Sequence, residues 1–316
     1  MTLRKTARLA ADTAGLQAAA AVLTNGGLVA FPTETVYGLG ADARVSRAVA
    51  DIYAAKGRPS FNPLIAHVAD MDAARKLCVF DDTADRLASA FWPGALTLVL
   101  PLRADAGVSK LVTAGLDTLA VRVPDHPVGS ALLRAFGGPV AAPSANPSGR
   151  ISPTTAQHVY AGLDGRIDAV VDGGACGLGV ESTIVQCGTV PMLLRAGGIP
   201  VEALEACLGG PITLAAADGP LTAPGQLASH YAPQGVIRLN AETALPGETL
   251  LGFGPVAGDL TLSASGDLIE AAANLFNCLH QLDAMQATQI AVAPIPAHGL
   301  GLAINDRLTR AAAPRD

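Results

Sequence analysis

The stretch DTAGLQAAAAVLTNGGLVAF (12–31) decides the fold class. Leu16, Ala19, Ala20 and Leu23 recur at helical spacing, Gly26 and Gly27 close the run, and LVAF (28–31) follows as a short apolar segment. A helix closed by glycine and leading into a strand is the pattern of an α/β protein. Further apolar runs at 64–68, 95–100, 119–123, 139–142, 169–171 and 183–186 are bounded by Gly, Pro or Asp and read as strands. Helical patterns at 46–55, 70–77, 83–91, 127–136 and 154–162 fall between some of them. Several strands follow one another closely, so the sheet is expected to be mixed rather than purely parallel.

From 208 to 233 the chain turns to Gly, Pro, Ala and Thr with hardly any charge, the composition of an interdomain linker. Beyond it, VIRLN (236–240), ETLLGF (248–253) and IAVAP (290–294) read as strands. Residues 267–284 place Leu268, Ala272, Leu275, Phe276, Leu279 and Leu282 on one helical face, and a last helix is expected over 300–312. The expected organisation is a catalytic α/β domain over 1–207, a linker over 208–235 and a small α/β domain over 236–316.

At 316 residues the chain can bury a sizeable core, and its scarce aromatics favour helices on a sheet, packed through Ala, Val, Leu and Ile. The formal net charge of −6 argues against a protein that coats nucleic acid, although a local basic cleft is compatible with it. The five cysteines are scattered without a CxxC pair, and the six histidines form no HExxH, so reduced thiols and no zinc site are expected. Arg4, Lys5 and Arg8 precede the alanine-rich run as in a signal peptide, but Asp12 and Gln17 interrupt it. No apolar stretch is long and clean enough for a bilayer, so a soluble, cytoplasmic protein is expected.

Two proline-braced clusters carry the chemistry: KGRPSFNPLIAHV (56–68) and APSANPSGR (142–150). Proline disfavours helix before and within itself, which suggests extended chain, where residues two apart share a side. Lys56 with Arg58 then forms a cationic edge, and Ser144 with Asn146 a hydroxyl–amide edge, suited together to a polyphosphate. PTETVYGLG (32–40) adds two hydroxyls, a carboxylate and a phenol beside two glycines. Arg122 interrupts an apolar strand in TLAVRVPDHP (118–127) and must pair with a carboxylate, either from a neighbouring strand or from a ligand. His67 ends LIAH and suits either a hydrogen-bonded core position or a ligand contact. GLGVESTIV (177–185) brings a polar Glu-Ser-Thr to a strand entry, Arg195 stands before two glycines, and HYAP (230–233) offers a stacking ring. No Walker motif, kinase signature or GxSxG elbow is present.

Taken together, PTETVYGLG, KGRP, NPLIAH, FWPGALTLVLP, AVRVPDHP, APSANPSGR and ESTIV resemble the YrdC-like family of threonylcarbamoyl-AMP synthases. HYAP, DLIEAAANLFNCLHQLD and GLGLAINDRLTRAA resemble its longer, two-domain form. The resemblance implies a twisted mixed sheet around a positively charged cleft, a smaller Rossmann-like domain, and a linker passing over the active-site mouth. It implies that L-threonine, bicarbonate or CO2, and ATP with a magnesium ion (Mg2+) give threonylcarbamoyl-AMP and pyrophosphate. A tRNA-modifying threonylcarbamoyl transferase complex would then accept the product, with no membrane and no tight nucleic-acid binding by this chain. By the same resemblance Lys56, Arg58, Ser144 and Asn146 are the catalytic residues. Thr35, His67, Arg122, Ser144 and Ser182 line the threonine site, with Arg122 on the carboxylate. Lys56, Arg58, Asn62, Thr118, Asn146, Ser152, Thr154, Arg195 and Tyr231 contact ATP. The competing expectation is a non-catalytic RNA-binding module in tRNA or ribosome maturation. Carbamoyl-adenylate chemistry of hydrogenase maturation fits less well, because the acylphosphatase-like and zinc-finger segments it uses are missing from this sequence.

Overall fold

An alanine-rich run needs a defined start, and Asp12 supplies it by accepting a hydrogen bond from Gly15 N at 2.8 Å. The structure, a computed structural model, describes residues 5–215 and 230–314. Helix α1 (Thr13–Thr24) follows strand β1 (Ala7–Ala10) and leads into β2 (Val29–Phe31), β3 (Gly38–Asp42), α2 (Ser46–Lys56) and β4 (Ile65–His67). Next come α3 (Met71–Leu77), α4 (Asp82–Phe91), β5 (Leu96–Pro101), β6 (Thr118–Arg122), α5 (Pro127–Phe136) and β7 (Val140–Ala141). The first unit ends with α6 (Ala156–Leu163), β8 (Ala169–Asp172), β9 (Thr183–Gln186), β10 (Met192–Arg195), α7 (Val201–Leu208) and β11 (Thr213–Leu214).

Among the described residues these strands form one sheet in the order β1-β8-β2-β3-β7-β4-β6-β5-β9-β10-β11. It is mixed, as expected: β4 and β6 run parallel, whereas β7 lies antiparallel to both β3 and β4. The principal core is built largely from Ala, Val, Leu and Ile.

Strand β3 was not among the expected strands, since no apolar run marks 38–42. Its glycines explain the difference. A Cβ at Gly40 would lie 2.8 Å from both the Phe31 ring and the Val140 side chain, so only glycine lets β3 pass between these neighbours.

The second sheet has the order β12 (Val236–Arg238), β15 (Gln289–Val292), β13 (Thr249–Gly252) and β14 (Leu260–Thr261), all in parallel pairs. Helices α8 (Leu268–Ala284) and α9 (Gly301–Ala312) complete this unit. Residues 216–229, the middle of the expected linker, lie outside the described residues. The two units share one buried cluster: Val36, Ile151 and Val180 of the first pack with Tyr231, Leu275 and Phe276.

Helices α6 and α8 also meet through His158 and His280, whose rings stack 3.8 Å apart at 18°. Burial lowers the pKa of His158; it pushes His280 down to about 4, with the His158 charge adding to the effect. An exposed histidine titrates near ~6.5. Between that value and about 4, the unfolded chain therefore binds a proton that folded His280 refuses, so stability rises with pH across this window. We expect denaturant-measured stability to fall between pH 7 and pH 5, and His280→Gln to remove roughly 2 kcal/mol of that fall. An identical pH dependence in the substituted chain would contradict the assignment.

Candidate active site

Helix α2 delivers the first motif, and it does so at its C-terminal end rather than in extended chain. Lys56 is the last helical residue, and Gly57 adopts the left-handed conformation with φ 61°. Gly57 N then donates to Ala54 O at 3.4 Å and Arg58 N to Tyr53 O at 3.0 Å. This glycine-terminated turn sends Lys56 and Arg58 in different directions, which corrects the expectation of a shared edge.

The Lys56 ammonium donates to Ser144 O at 2.6 Å and to Asn146 O. In return, Ser148 N donates to Lys56 O at 2.8 Å. Burial, with the nearby Arg58 charge, holds the Lys56 pKa well below the ordinary lysine value. Arg58 donates instead to Pro63 O at 3.0 Å and Asn62 O at 3.4 Å, and lines a cavity. Its pKa falls to about 10, chiefly through burial.

The second motif also splits. Ser144 bridges to Gly38 and lines the cavity. The chain bends after it, with Asn146 N on Ser144 O at 3.0 Å, so the Asn146 amide turns to Pro147 O and Arg150 O at 2.9 and 2.8 Å. The Asn146 Oδ1 atom is buried without a hydrogen-bond partner.

Across the sheet, His67 of β4 and Arg122 of β6 are register partners and therefore share a face. Arg122 donates to Glu34 Oε1 at 2.5 Å, to Thr35 Oγ1 at 3.0 Å and to Gly94 O at 3.1 Å. A carboxylate of the chain itself, Glu34, thus answers the charge that the sequence left open. Thr33 Oγ1 lies 2.7 Å from Thr35 Oγ1 and donates to Val36 O at 2.7 Å, fixing the loop. The phenol of this motif is structural, since Tyr37 donates to Gly174 O at 2.7 Å. Burial, reinforced by the Arg122 charge, pushes His67 down to about 3, and its Nδ1 is buried without a partner. His67 is a neutral imidazole at pH 7.

The third side is built from β9 and β10. Arg195 donates to Ser182 O at 2.9 and 3.1 Å and to Ser182 Oγ at 3.2 Å, while Ser182 Oγ lies 2.7 Å from Thr97 Oγ1. Glu181 accepts from Ser152 Oγ at 2.6 Å through one oxygen and from Arg307 Nε at 2.9 Å through the other. Burial alone would raise the Glu181 pKa, but the charges of Arg307 and Arg195 and these hydrogen bonds hold it at about 2.

His230 and Tyr231 close the fourth side. His230 N donates to Arg310 O at 3.2 Å, and Ala232 N to Gly149 O at 2.9 Å. Tyr231, with φ 63°, stacks on Phe276, and its buried hydroxyl has no hydrogen-bond partner.

One cavity therefore gathers Thr35, Arg58, His67, Arg122, Ser144, Ser182, Arg195 and Tyr231 of the residues expected from the sequence, together with Thr33, Glu181 and His230. Lys56, Asn62, Asn146, Ser152 and Thr154 are not among its lining residues: Asn62 O receives Tyr53 Oη at 3.1 Å, and Thr154 N donates to His158 Nδ1 at 3.3 Å. Thr118 begins β6, at the opposite end from Arg122. The cavity opens to the surface, and the space in it is about 50 Å³, room for a few waters.

Sequence reasoning did not assign site positions to Glu34, Glu181 or His230, although each stands beside a residue it did assign. Among the described residues, no group of three or more His, Cys, Asp or Glu could hold a metal ion, and no helix is long and apolar enough to cross a membrane.

Comparison with known proteins shows the family. The Sua5/YciO/YrdC family model, described as telomere recombination, matches residues 21–197. A second model, described as the C-terminal domain of threonylcarbamoyl-AMP synthase, matches residues 199–313. The threonylcarbamoyl-AMP synthase of Bacillus subtilis (strain 168) is 44% identical, over 94% of this chain and 92% of its own length. That of Pyrococcus abyssi (strain GE5 / Orsay) is 39% identical, over 94% and 93%. The crystal structure of P. abyssi Sua5 complexed with L-threonine superposes with a TM-score of 0.89 at 37% identity, covering 97% of this chain and 98% of that one. E. coli YciO, at 22% identity and a TM-score of 0.55, shares the fold. The chain belongs to the Sua5/YciO/YrdC family, with the C-terminal domain of the threonylcarbamoyl-AMP synthases following the family domain.

Proposed function

We propose that this chain is an L-threonylcarbamoyladenylate synthase, making threonylcarbamoyl-AMP and pyrophosphate from L-threonine, bicarbonate or CO2, and ATP. The single observation that carries the reading is the convergence of Arg58, Ser144, His67, Arg122 and Arg195 on one cavity that Lys56 ties together. The RNA-binding alternative is not favoured, since relatives matched over almost their whole length are named as synthases.

The chemistry asks for alignment and charge rather than a protein nucleophile. Threonine's amine adds to CO2 and loses a proton, giving a carbamate. A carbamate oxygen then bonds to the α-phosphorus of ATP as the bond from that phosphorus to the bridging oxygen breaks and pyrophosphate leaves. Arg58 and Arg195 stabilise the phosphates. Thr35, neutral His67, Ser144 and Ser182 surround the amino acid, and Arg122 takes its carboxylate.

Among the described residues, three N–H groups of Arg122 are engaged by Glu34, Thr35 and Gly94, which fixes the guanidinium's orientation before a ligand arrives. Lys56 acts from behind, by holding the Ser144–Asn146 turn. A divalent cation enters with the nucleotide, as part of the substrate. The adenylate product is reactive, so a threonylcarbamoyl transferase acting on tRNA must take it up, and this chain has no need to grip tRNA itself.

Incubating the pure protein with ATP, magnesium, bicarbonate and each amino acid in turn should give a new adenylate by mass spectrometry with L-threonine alone. Pyrophosphate released equally with every amino acid, or with none, would refute the proposal. Arg58→Ala should lower kcat/KM for pyrophosphate release by at least about 100-fold in a chain that still folds, as circular dichroism would check. Lys56→Met strands the Asn146 carbonyl and leaves Ser144 O with only the Asn146 N donor, and should cost roughly 1–3 kcal/mol of stability by denaturant titration as well as activity. Full stability in that variant would remove Lys56 from its bracing role.

A further inference from the structure

Helix α9 belongs to the second unit, yet its Arg307 is fully buried against the cavity of the first. Arg307 Nε donates to Glu181 Oε2 at 2.9 Å, while Nη1 donates to Ala196 O at 2.8 Å and to Asp306 Oδ2 at 2.6 Å. The guanidinium carbon stands 5.3 Å from the centroid of the Tyr231 ring. The partners span 126 positions of sequence, so the contact exists only while α9 is docked.

Glu181 is a carboxylate in the wall of a cavity whose other charged lining groups, Arg58, Arg122 and Arg195, are cationic. With Ser152 on one oxygen and Arg307 on the other, both ends of that carboxylate are engaged. A buried carboxylate deprived of such a partner takes compensation from the nearest remaining cation. Arg195, which stands with Glu181 in the cavity lining, is a remaining cation whose charge already acts on Glu181. Compensation of that kind would spend on Glu181 the positive charge that a polyphosphate needs.

We propose that Arg307 is a positioning residue for nucleotide binding: reaching in from the second unit, it holds and neutralises Glu181, so that Arg195 and Arg58 keep their charge for the ATP phosphates. This gives the second domain a role in the reaction, and it rests on reading the cavity as an ATP site.

The test is a charge-removal cycle on the full chain, read by calorimetric titration with magnesium–ATP and separately with L-threonine. Arg307→Met should weaken ATP binding by about tenfold or more and leave threonine binding within about twofold. Adding Glu181→Gln to Arg307→Met removes the uncompensated charge and should restore ATP affinity to within about threefold of the unaltered chain. Arg307→Lys should retain most of the affinity. A purely structural arginine gives the opposite pattern, with the double variant no better than the single one, and that result overturns the proposal. So does an Arg307→Met chain that binds ATP normally. If Arg307→Met alone does not fold, the double variant decides: ATP affinity within about threefold of the unaltered chain supports the proposal, and a loss of about tenfold overturns it. An unaltered chain that binds no ATP at all would instead bring down the reading of the site, and this inference with it.

Discussion

The ammonium of Lys56 is buried, and it is satisfied by the main-chain carbonyls of Ser144 and Asn146. A charge taken out of water is tolerable only when its donors are used, so the loop after β7 cannot drift from the end of α2 without stranding that charge. Ser148 N returns a hydrogen bond to Lys56 O, so main chain and side chain both fasten the loop. The consequences spread outward. Ser144 reaches the cavity from this fixed turn, Gly149 offers its carbonyl to Ala232, and the His230–Tyr231 wall is thereby anchored to the same loop. Lys56, which does not line the cavity, holds the turn from which Ser144 reaches it.

Much of the architecture was legible in the sequence because it depends on local pattern. The helix over 12–25, the strand at 28–31 and the apolar face of α8 all follow from periodicity and capping, and all are present. The expected site residues were recognisable as chemistry, and most of them do meet. What the sequence could not supply was direction. Extended geometry puts residues i and i+2 on one side, but a left-handed glycine at position 57 and a bend after Ser144 send each pair apart. Whether Gly57 ends a helix or sits in a strand depends on packing of α2, which no window of a few residues contains. Strand β3 hid for a related reason: glycines that look like loop residues are there because Phe31 and Val140 come so close.

The pairings that matter most electrostatically were the least visible. Arg122 advertised a need for a carboxylate, and Glu34 satisfies it from 88 positions away. Arg307 was not singled out, and Glu181 stood out only as part of a polar Glu-Ser-Thr cluster, so neither announced the other as its partner. Their burial arises only when two separately patterned units dock and place Val36, Ile151 and Val180 against Tyr231, Leu275 and Phe276.

These pairings also reconcile an acidic chain with a cationic cavity. The carboxylates nearest the site are matched to arginines: Glu34 to Arg122, and Glu181 to Arg307. Arg58 donates to the carbonyls of Asn62 and Pro63, and Arg195 to that of Ser182. A carbonyl can orient a guanidinium as firmly as a carboxylate can, yet it carries no net charge with which to cancel it. Orientation and neutralisation are thereby separated. The arginine that must be aimed is braced by a carboxylate of the chain, whereas Arg58, among the described residues, is held by the neutral carbonyls of Asn62 and Pro63. The net charge of −6 describes the whole chain and says nothing of this sorting, which is set residue by residue inside a wall no solvent-facing property reports.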